Sequence, residues 1–463
     1  MSTRCAVLVV LLASSVFSQP ATSDTAAAKV LAAWLAAFNS ADPARISAFD
    51  ATYRQHSRPV TASLTFREWT GGFTLIRLEK NEPLVLTAIL RERNSDQIGR
   101  LELVLASEIP PNIVREELMP IRCPPDLAVP RLSEARALAA VSDFAERATR
   151  EDRFSGVVLV ARDGKALLQK GWGLADRDRG VPVSLDTQFD IASVSKMFTA
   201  VAALQLIESG TLTLDGEVGR YIPDYPNKDV ASTVTIRHLL THTGGTGDVF
   251  AAELSTLRQH PEYLKLFGTR DLLFKPGAEY RYSNYGFVLL GVIIEKVSGM
   301  SYYEYVQRKI FEPAGMTSTD FLPPDAPAPQ HAVGYVRRNG AWVPNTAPWG
   351  RGMAFGGAYA TAGDLFRFVE AIKSGKVIAK ATLANATFPH QPHYGYGFNI
   401  QGDGPLRYYG HAGGAPGRNG EVRIYPELGY IVVGLTNLDP PLAERVIDIF
   451  ANRMPITHKS SSR

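Results

Sequence analysis

The chain has 463 residues, 45% of them hydrophobic and 21% charged, enough for a large core and more than one domain. Its 49 basic and 46 acidic residues leave a net charge of +3 and are spread evenly, with no basic block to follow a phosphate backbone. Nucleic acid is therefore not an expected partner.

The opening stretch, MSTRCAVLVVLLASSVFSQPATS, has a single cation, Arg4, an apolar run from Cys5 to Phe17, and then small and polar residues. That layout predicts a secretory signal peptide over residues 1–18, cut after Ser18, and the run is too short to span a bilayer. The expected location is secreted or periplasmic, without a stable membrane anchor. Removal of Arg4 and Cys5 would take the charge from +3 to +2 and leave Cys123 as the single cysteine. No internal disulfide is then possible, and Cys123, in IRCPPD, is expected to be a half-buried thiol.

Residues 19–130 read as a small α+β domain. Val30, Leu31, Trp34, Leu35 and Phe38 recur at helical spacing, and Ser40, Asp42 and Pro43 form a cap and first turn for a second short helix through Phe49. GGFTLIRLE, PLVLTAILRE and RLELVLASE follow as strands, separated by turn residues. Two helices before an antiparallel meander, together with the segment FNSADPARISAF, resemble the cone-shaped NTF2-like domains. No cluster of catalytic groups occurs here, so an accessory role in assembly or substrate positioning is expected.

The proline-rich stretch CPPDLAVPRLSE reads as a linker, with the boundary near residue 130. Beyond it, ARALAAVSDFAERATRE predicts an amphipathic helix and GVVLVARDGKALLQKGWG a hairpin turning at Asp163 and Gly164. RYYGHAGG and GEVRIYPELGYIVVGLTN predict further strands near the other end, followed by a helix from Leu442 to about Asn452. Segments from both ends of residues 131–455 would thus share one antiparallel sheet. Between them, helices are expected over Met197–Ser209, Ile236–Leu240, Asn284–Ser298, Tyr302–Phe311 and Ala362–Lys373.

The chemistry-bearing residues sit at three places in this second region. Ser193 and Lys196, three apart at the start of an apolar helix, put a hydroxyl beside an amine, where the helix N-terminus favours an oxyanion and a depressed lysine pKa. Tyr282 and Asn284, flanking Ser283 before another apolar helix, can deliver a phenol and an amide into one pocket. A nearby cation would make that phenol ionise more readily. His411, Ala412, Gly413 and Gly414 enter a strand pair, where the glycines admit a substrate carbonyl and the Gly414 N–H can join that of Ser193 as an oxyanion donor.

Ser-x-x-Lys, Tyr-x-Asn and His-x-Gly in this order, the last before a C-terminal hairpin, resemble the serine β-lactamase and penicillin-recognising hydrolase superfamily. The style is that of class C β-lactamases, D-alanyl-D-alanine carboxypeptidases and family VIII esterases. VTIRHLLTHTGG and GGAYATAGDLFRF look like recurring stretches of that family. The resemblance implies an α/β (α+β) fold, a β-lactamase-like antiparallel sheet flanked by helices, with a helical subdomain. It implies Ser193 as acylated nucleophile, Lys196 as its partner and Tyr282 as general base, the first proton acceptor being left open between the last two. Asn284, His411, Gly413 and Gly414 would bind substrate.

THTGG matches a His-Thr-Gly motif more literally than YGHAGG, but it precedes no hairpin, so His242 is read as structural. His411 and Ala412 stand where Lys-Thr is usual, which removes a permanent charge and a hydroxyl that would bind a carboxylate. The expected substrates are therefore small esters, amides or peptides, with D-Ala-D-Ala carboxypeptidase or β-lactamase activity, or a non-turnover β-lactam sensor, as alternatives. Arg418 could restore a cation nearby. No cofactor or metal is expected: there is no His-Glu-x-x-His, and His390 and His393 flank Pro392 in a loop. No Gly-x-Ser-x-Gly occurs, which disfavours an α/β-hydrolase. GAWVPNTAPWGRGMAFGG, Trp342 through Gly357, reads either as a wall of the acyl pocket or as a packed surface loop. Oligomeric state is not readable.

Overall fold

The computed structural model describes residues 24–56, 59–249, 257, 259–323, 328–338, 340–345 and 351–456. The predicted signal peptide lies outside the described residues. These residues divide after Ala128 into two compact units.

In the N-terminal unit, the Thr25 side chain caps a helix over Ala26–Ser40, and Asp42 caps a second over Pro43–Tyr53 with Pro43 in its first turn. A third helix, Val60–Thr70, was not expected; Thr70 is its buried residue, so no apolar stripe announces it. Four strands follow in sequential antiparallel order: Phe73–Asn81, Val85–Glu92, Ile98–Glu108 and Pro111–Ile121. The last is an addition to the three expected. It is a charged edge strand, PNIVREELMPI, with no fully buried residue, the composition by which edges resist further pairing. The rings of Trp34, Phe38 and Phe73 stack over Leu86, Leu90, Leu101 and Leu103 to form the core. Cys123 is exposed rather than half-buried, because the proline-rich stretch that follows the edge strand buries none of its short 3₁₀ turn.

The second unit is built on a six-stranded antiparallel sheet whose order is Asn399–Gln401, Tyr408–Ala415, Arg418–Tyr425, Tyr430–Thr436, Gly156–Arg162 and Lys165–Trp172. Segments from both ends of this unit do share the sheet, as expected. Gly156–Arg162 shows why the order is stable: Val158 and Val160 pack with Val141, Val446 and Phe450, while Val157 and Leu159 face the other layer with Phe189, Phe198 and Val433. Helices Glu134–Arg150 and Leu442–Ala451 cover the first face. Asp163 and Gly164 turn the hairpin with φ of 49° and 77°, the left-handed pair that a tight hairpin requires.

The opposite layer is helical. Lys196–Glu208 is apolar on every side and has Met197, Phe198, Val201 and Leu204 buried, so it runs through the interior instead of along a surface. Asn284–Ser298 is buried from Tyr285 to Ile294 and packs in the same cluster. Ile236–Leu240, Tyr302–Val306 and Ala362–Ser374 join this layer close to their expected bounds, with a π-type turn, Gln307–Phe311, ending the segment expected over Tyr302–Phe311.

Candidate active site

Ser193 lies in a 3₁₀ turn, Ala192–Ser195, that leads directly into the Lys196–Glu208 helix. The turn is held from several sides. Asp190 Oδ1 accepts the Ala192 N–H at 2.8 Å, and Ser195 Oγ donates to Ala192 O at 2.8 Å while accepting the Ala358 N–H at 3.1 Å. Ala192 itself has φ 45°, a left-handed conformation unfavourable for a residue with a Cβ, which these bonds enforce.

The Lys196 side chain has no exposure, and its Nζ reaches Asn284 Oδ1 at 2.7 Å, the Phe355 carbonyl at 2.5 Å and Ser193 Oγ at 3.2 Å. Nζ also sits 4.8 Å from the centre of the Tyr282 ring. Burial lowers the Lys196 pKa well below its ordinary value, and the more distant Asp248 carboxylate only partly opposes this. A neutral amine has two N–H bonds. Asn284 Oδ1 and Phe355 O can accept both, leaving the lone pair toward Ser193.

Tyr282 shares a side-chain hydrogen bond with Ser193. Its phenol departs from the expectation of easier ionisation: burial raises its pKa, and the hydrogen bond shared with Ser193 does not compensate. The expected help from Lys196 fails for the same reason, since desolvation also works against the lysine's own charge. Ser283 caps the Asn284–Ser298 helix through Gly286 N–H at 2.9 Å, and Asp248 Oδ1 accepts the Asn284 N–H at 2.8 Å. The cap and the carboxylate together aim the loop.

The strand Tyr408–Ala415 closes the other side. A Cβ on Gly413 would lie 2.5 Å from Ile191 O and 2.6 Å from Ser193 N, so only glycine allows the strand this close to the turn. Asn419 Nδ2 donates to Gly413 O at 2.9 Å. Gly414 is exposed and Ser193 partly exposed, which leaves an opening beside their backbones. His411, on the same strand, is buried. Arg418, the cation imagined as a substitute, is instead ion-paired with Asp190.

Sequence reasoning had Phe355 only as part of the stretch offered as a pocket wall, without its carbonyl's hold on Lys196, and missed Tyr394, whose hydroxyl joins His242 to His411. His242, set aside as structural, packs at a tilt of 36° against Tyr282 with ring centres 4.3 Å apart. Literal motif matching at 242 would have found it only as a rival to His411. Of the Trp342–Gly357 stretch, Phe355 is at the site. Trp342 donates its indole N–H to Asp152 O at 2.8 Å, and residues 346–350 lie outside the described residues. Among the described residues no group of three His, Cys, Asp or Glu could hold a metal ion, and no helix is long and apolar enough to cross a membrane.

The second unit, which holds this buried lysine, tyrosine and serine, is similar to known proteins. The Beta-lactamase family model matches residues 140–453, and the chain belongs to that family. Penicillin-binding protein 4* of Bacillus subtilis (strain 168) is 33% identical over 297 residues, 57% of this chain and 64% of that protein, slightly less than two thirds of its length. Esterase EstB of Burkholderia gladioli is 33% identical over 313 residues, 58% of this chain and 79% of the esterase. The crystal structure of a penicillin binding protein from Bacillus halodurans superposes with a TM-score of 0.60 at 32% identity, covering 65% of this chain and 97% of that one. The β-lactamase-like fold and relatedness to esterases and penicillin-binding proteins are thus established for the second unit.

Proposed function

We propose that this protein is an exported serine hydrolase that forms an acyl-enzyme on Ser193 and acts on small esters or amides. The observation that carries the reading is the fully buried Lys196 amine, hydrogen-bonded to neutral oxygens and 3.2 Å from Ser193 Oγ. A pKa lowered well below the ordinary lysine value favours the neutral amine, the form that can act as a base, and fixed acceptors on its two N–H bonds orient the lone pair. Lys196 is therefore the first base, ahead of Tyr282, whose raised pKa keeps it protonated.

Ser193 Oγ attacks the substrate carbonyl as its proton passes to Lys196 Nζ. The backbone N–H groups of Ser193 and Gly414 receive the oxyanion, and donors of this kind contribute about 2.7–4 kcal/mol each. Collapse breaks the bond to the alcohol or amine, which takes its proton through Tyr282 with Lys196 behind it. Water then releases the acyl group by the reverse proton route. Asn284 holds Lys196 and lies beside the acyl chain.

The relatives named as an esterase and as penicillin-binding proteins both support acyl transfer to serine. The test is the initial rate of p-nitrophenyl butyrate hydrolysis by the full chain beside Ser193→Ala. Turnover that disappears in the variant is the expected result. Equal rates would defeat the reading, and a stable adduct with a fluorescent penicillin in their place would favour a β-lactam sensor.

A further inference from the structure

Behind Tyr282 a chain of hydrogen bonds runs through the interior. Ser283 N–H donates to His242 Nδ1 at 3.1 Å, His242 Nε2 lies 3.0 Å from Tyr394 Oη, and Tyr394 Oη lies 3.2 Å from His411 Nε2. His411 Nδ1 is 2.6 Å from Ala412 O. His242, Tyr394 and His411 are all buried.

A backbone N–H can only donate, and that fixes the direction of every later link. His242 Nδ1 must accept from Ser283, so the neutral ring carries its proton on Nε2 and donates to Tyr394. Tyr394 then has its own proton available for His411 Nε2. His411 must carry its proton on Nδ1, because an unprotonated Nδ1 would set a lone pair against the Ala412 carbonyl. The opposite tautomer would also leave Tyr394 receiving two donors with no acceptor for its own hydrogen.

We propose that the chain Ser283–His242–Tyr394–His411 locks His411 as a neutral, Nδ1-protonated imidazole, so that the site selects acyl donors whose leaving group carries no carboxylate. This rests on the serine-hydrolase reading for its substrate consequence, though not for the lock itself. Both nitrogens of His411 are occupied within the protein, leaving it no N–H to offer a substrate anion. The groups that face it agree. Lys196 from the interior helix opposes a second cation whenever it is itself protonated, Tyr282 approaches with ring centres 6.5 Å away, and Tyr394 closes its Nε2 side. Burial first, and then the charge of Lys196 when it is protonated, take His411 down to about 3, and burial likewise keeps Tyr394 protonated. Arg418 is ion-paired with Asp190. His242 and Tyr394 are thus positioning residues for specificity.

The lock is tested first in the full chain labelled with ¹⁵N-histidine, with His411 assigned by its loss in His411→Gln. Long-range ¹H–¹⁵N spectra are expected to show the Nδ1–H form, unchanged from about pH 5.5 to about pH 8.5. An Nε2–H form, or titration within that range, overturns the proposal. The substrate consequence is tested by kcat/KM for phenyl butyrate against 3-carboxyphenyl butyrate. The neutral ester is expected to lead by at least about tenfold, the worth of one lost charged hydrogen bond, with a ratio that does not change with pH. Tyr394→Phe removes the donor to His411 and should narrow the ratio toward acid pH. A preference for the carboxylate ester overturns the proposal. Absence of Ser193-dependent turnover of both esters would defeat the hydrolase reading, while the nitrogen spectra would still decide the lock.

Discussion

Lys196 and Arg423 are two buried basic side chains of the same unit, and they have opposite fates. Arg423, on the strand Arg418–Tyr425, donates to Glu421 at 2.8 and 2.7 Å and to Asp448 at 2.6 Å. Burial opposes its charge, but Asp448 and Glu421 outweigh burial and hold its pKa well above the ordinary value. Lys196 is bonded only to neutral oxygens, and burial prevails. The partners decide the outcome: carboxylates in contact make a structural cation, amide and hydroxyl oxygens make a base.

The largest expected effect comes from forcing a permanent charge onto the reactive side. A guanidinium cannot lose its proton at working pH, so Lys196→Arg should lower kcat by about 10³-fold or more, with KM for a neutral ester changed far less. Steady-state kinetics with circular dichroism as a folding control would read this; a variant within tenfold of the native rate would contradict a neutral lysine base.

On the structural side, Arg423→Met should leave ester turnover nearly unchanged per folded molecule. It should destabilise the fold by about 3–5 kcal/mol in urea titrations, because Glu421 is left buried without its partner. Gly413→Ala sits between the two cases. Its Cβ would meet backbone atoms of Ile191 and Ser193, so a loss of about 1–3 kcal/mol in stability and a drop in kcat are expected together.

The smallest effect concerns Glu444, near the Arg423 cluster. Burial, and then the charge of Glu421, push its carboxyl up to about 7 from 4.5. The folded state therefore binds more protons than the unfolded state between those values, and stability falls as pH rises through that window. Glu444→Gln should raise stability above pH 7 by on the order of 1–2 kcal/mol, and the difference should vanish below about pH 4.5. Thermal melts at the two ends of the window check the sign.

Strongly periodic elements were legible from the chain alone. Asn284–Ser298 and Ile236–Leu240 have the expected bounds because cap residues and apolar runs specify them locally. Val60–Thr70 and Pro111–Ile121 were not legible, since neither buries a stripe that would register as a pattern. The same division holds at the site. Ser193 with Lys196, and Tyr282 with Asn284, are short-range pairs and could be read from spacing. Phe355 and Tyr394, 159 and 198 positions beyond Lys196 in the numbering, could not.

The sequence by itself determined which reactive groups are present and which of them share a helix end or a loop, because those relations depend on a few neighbouring residues. Only the tertiary structure decided their protonation. It buried Tyr282 so that its phenol resists ionisation, gave Lys196 neutral partners in place of carboxylates, and joined His242 to His411 through Tyr394. Desolvation and hydrogen-bond direction depend on everything packed around a group, and that packing is drawn from distant parts of the chain.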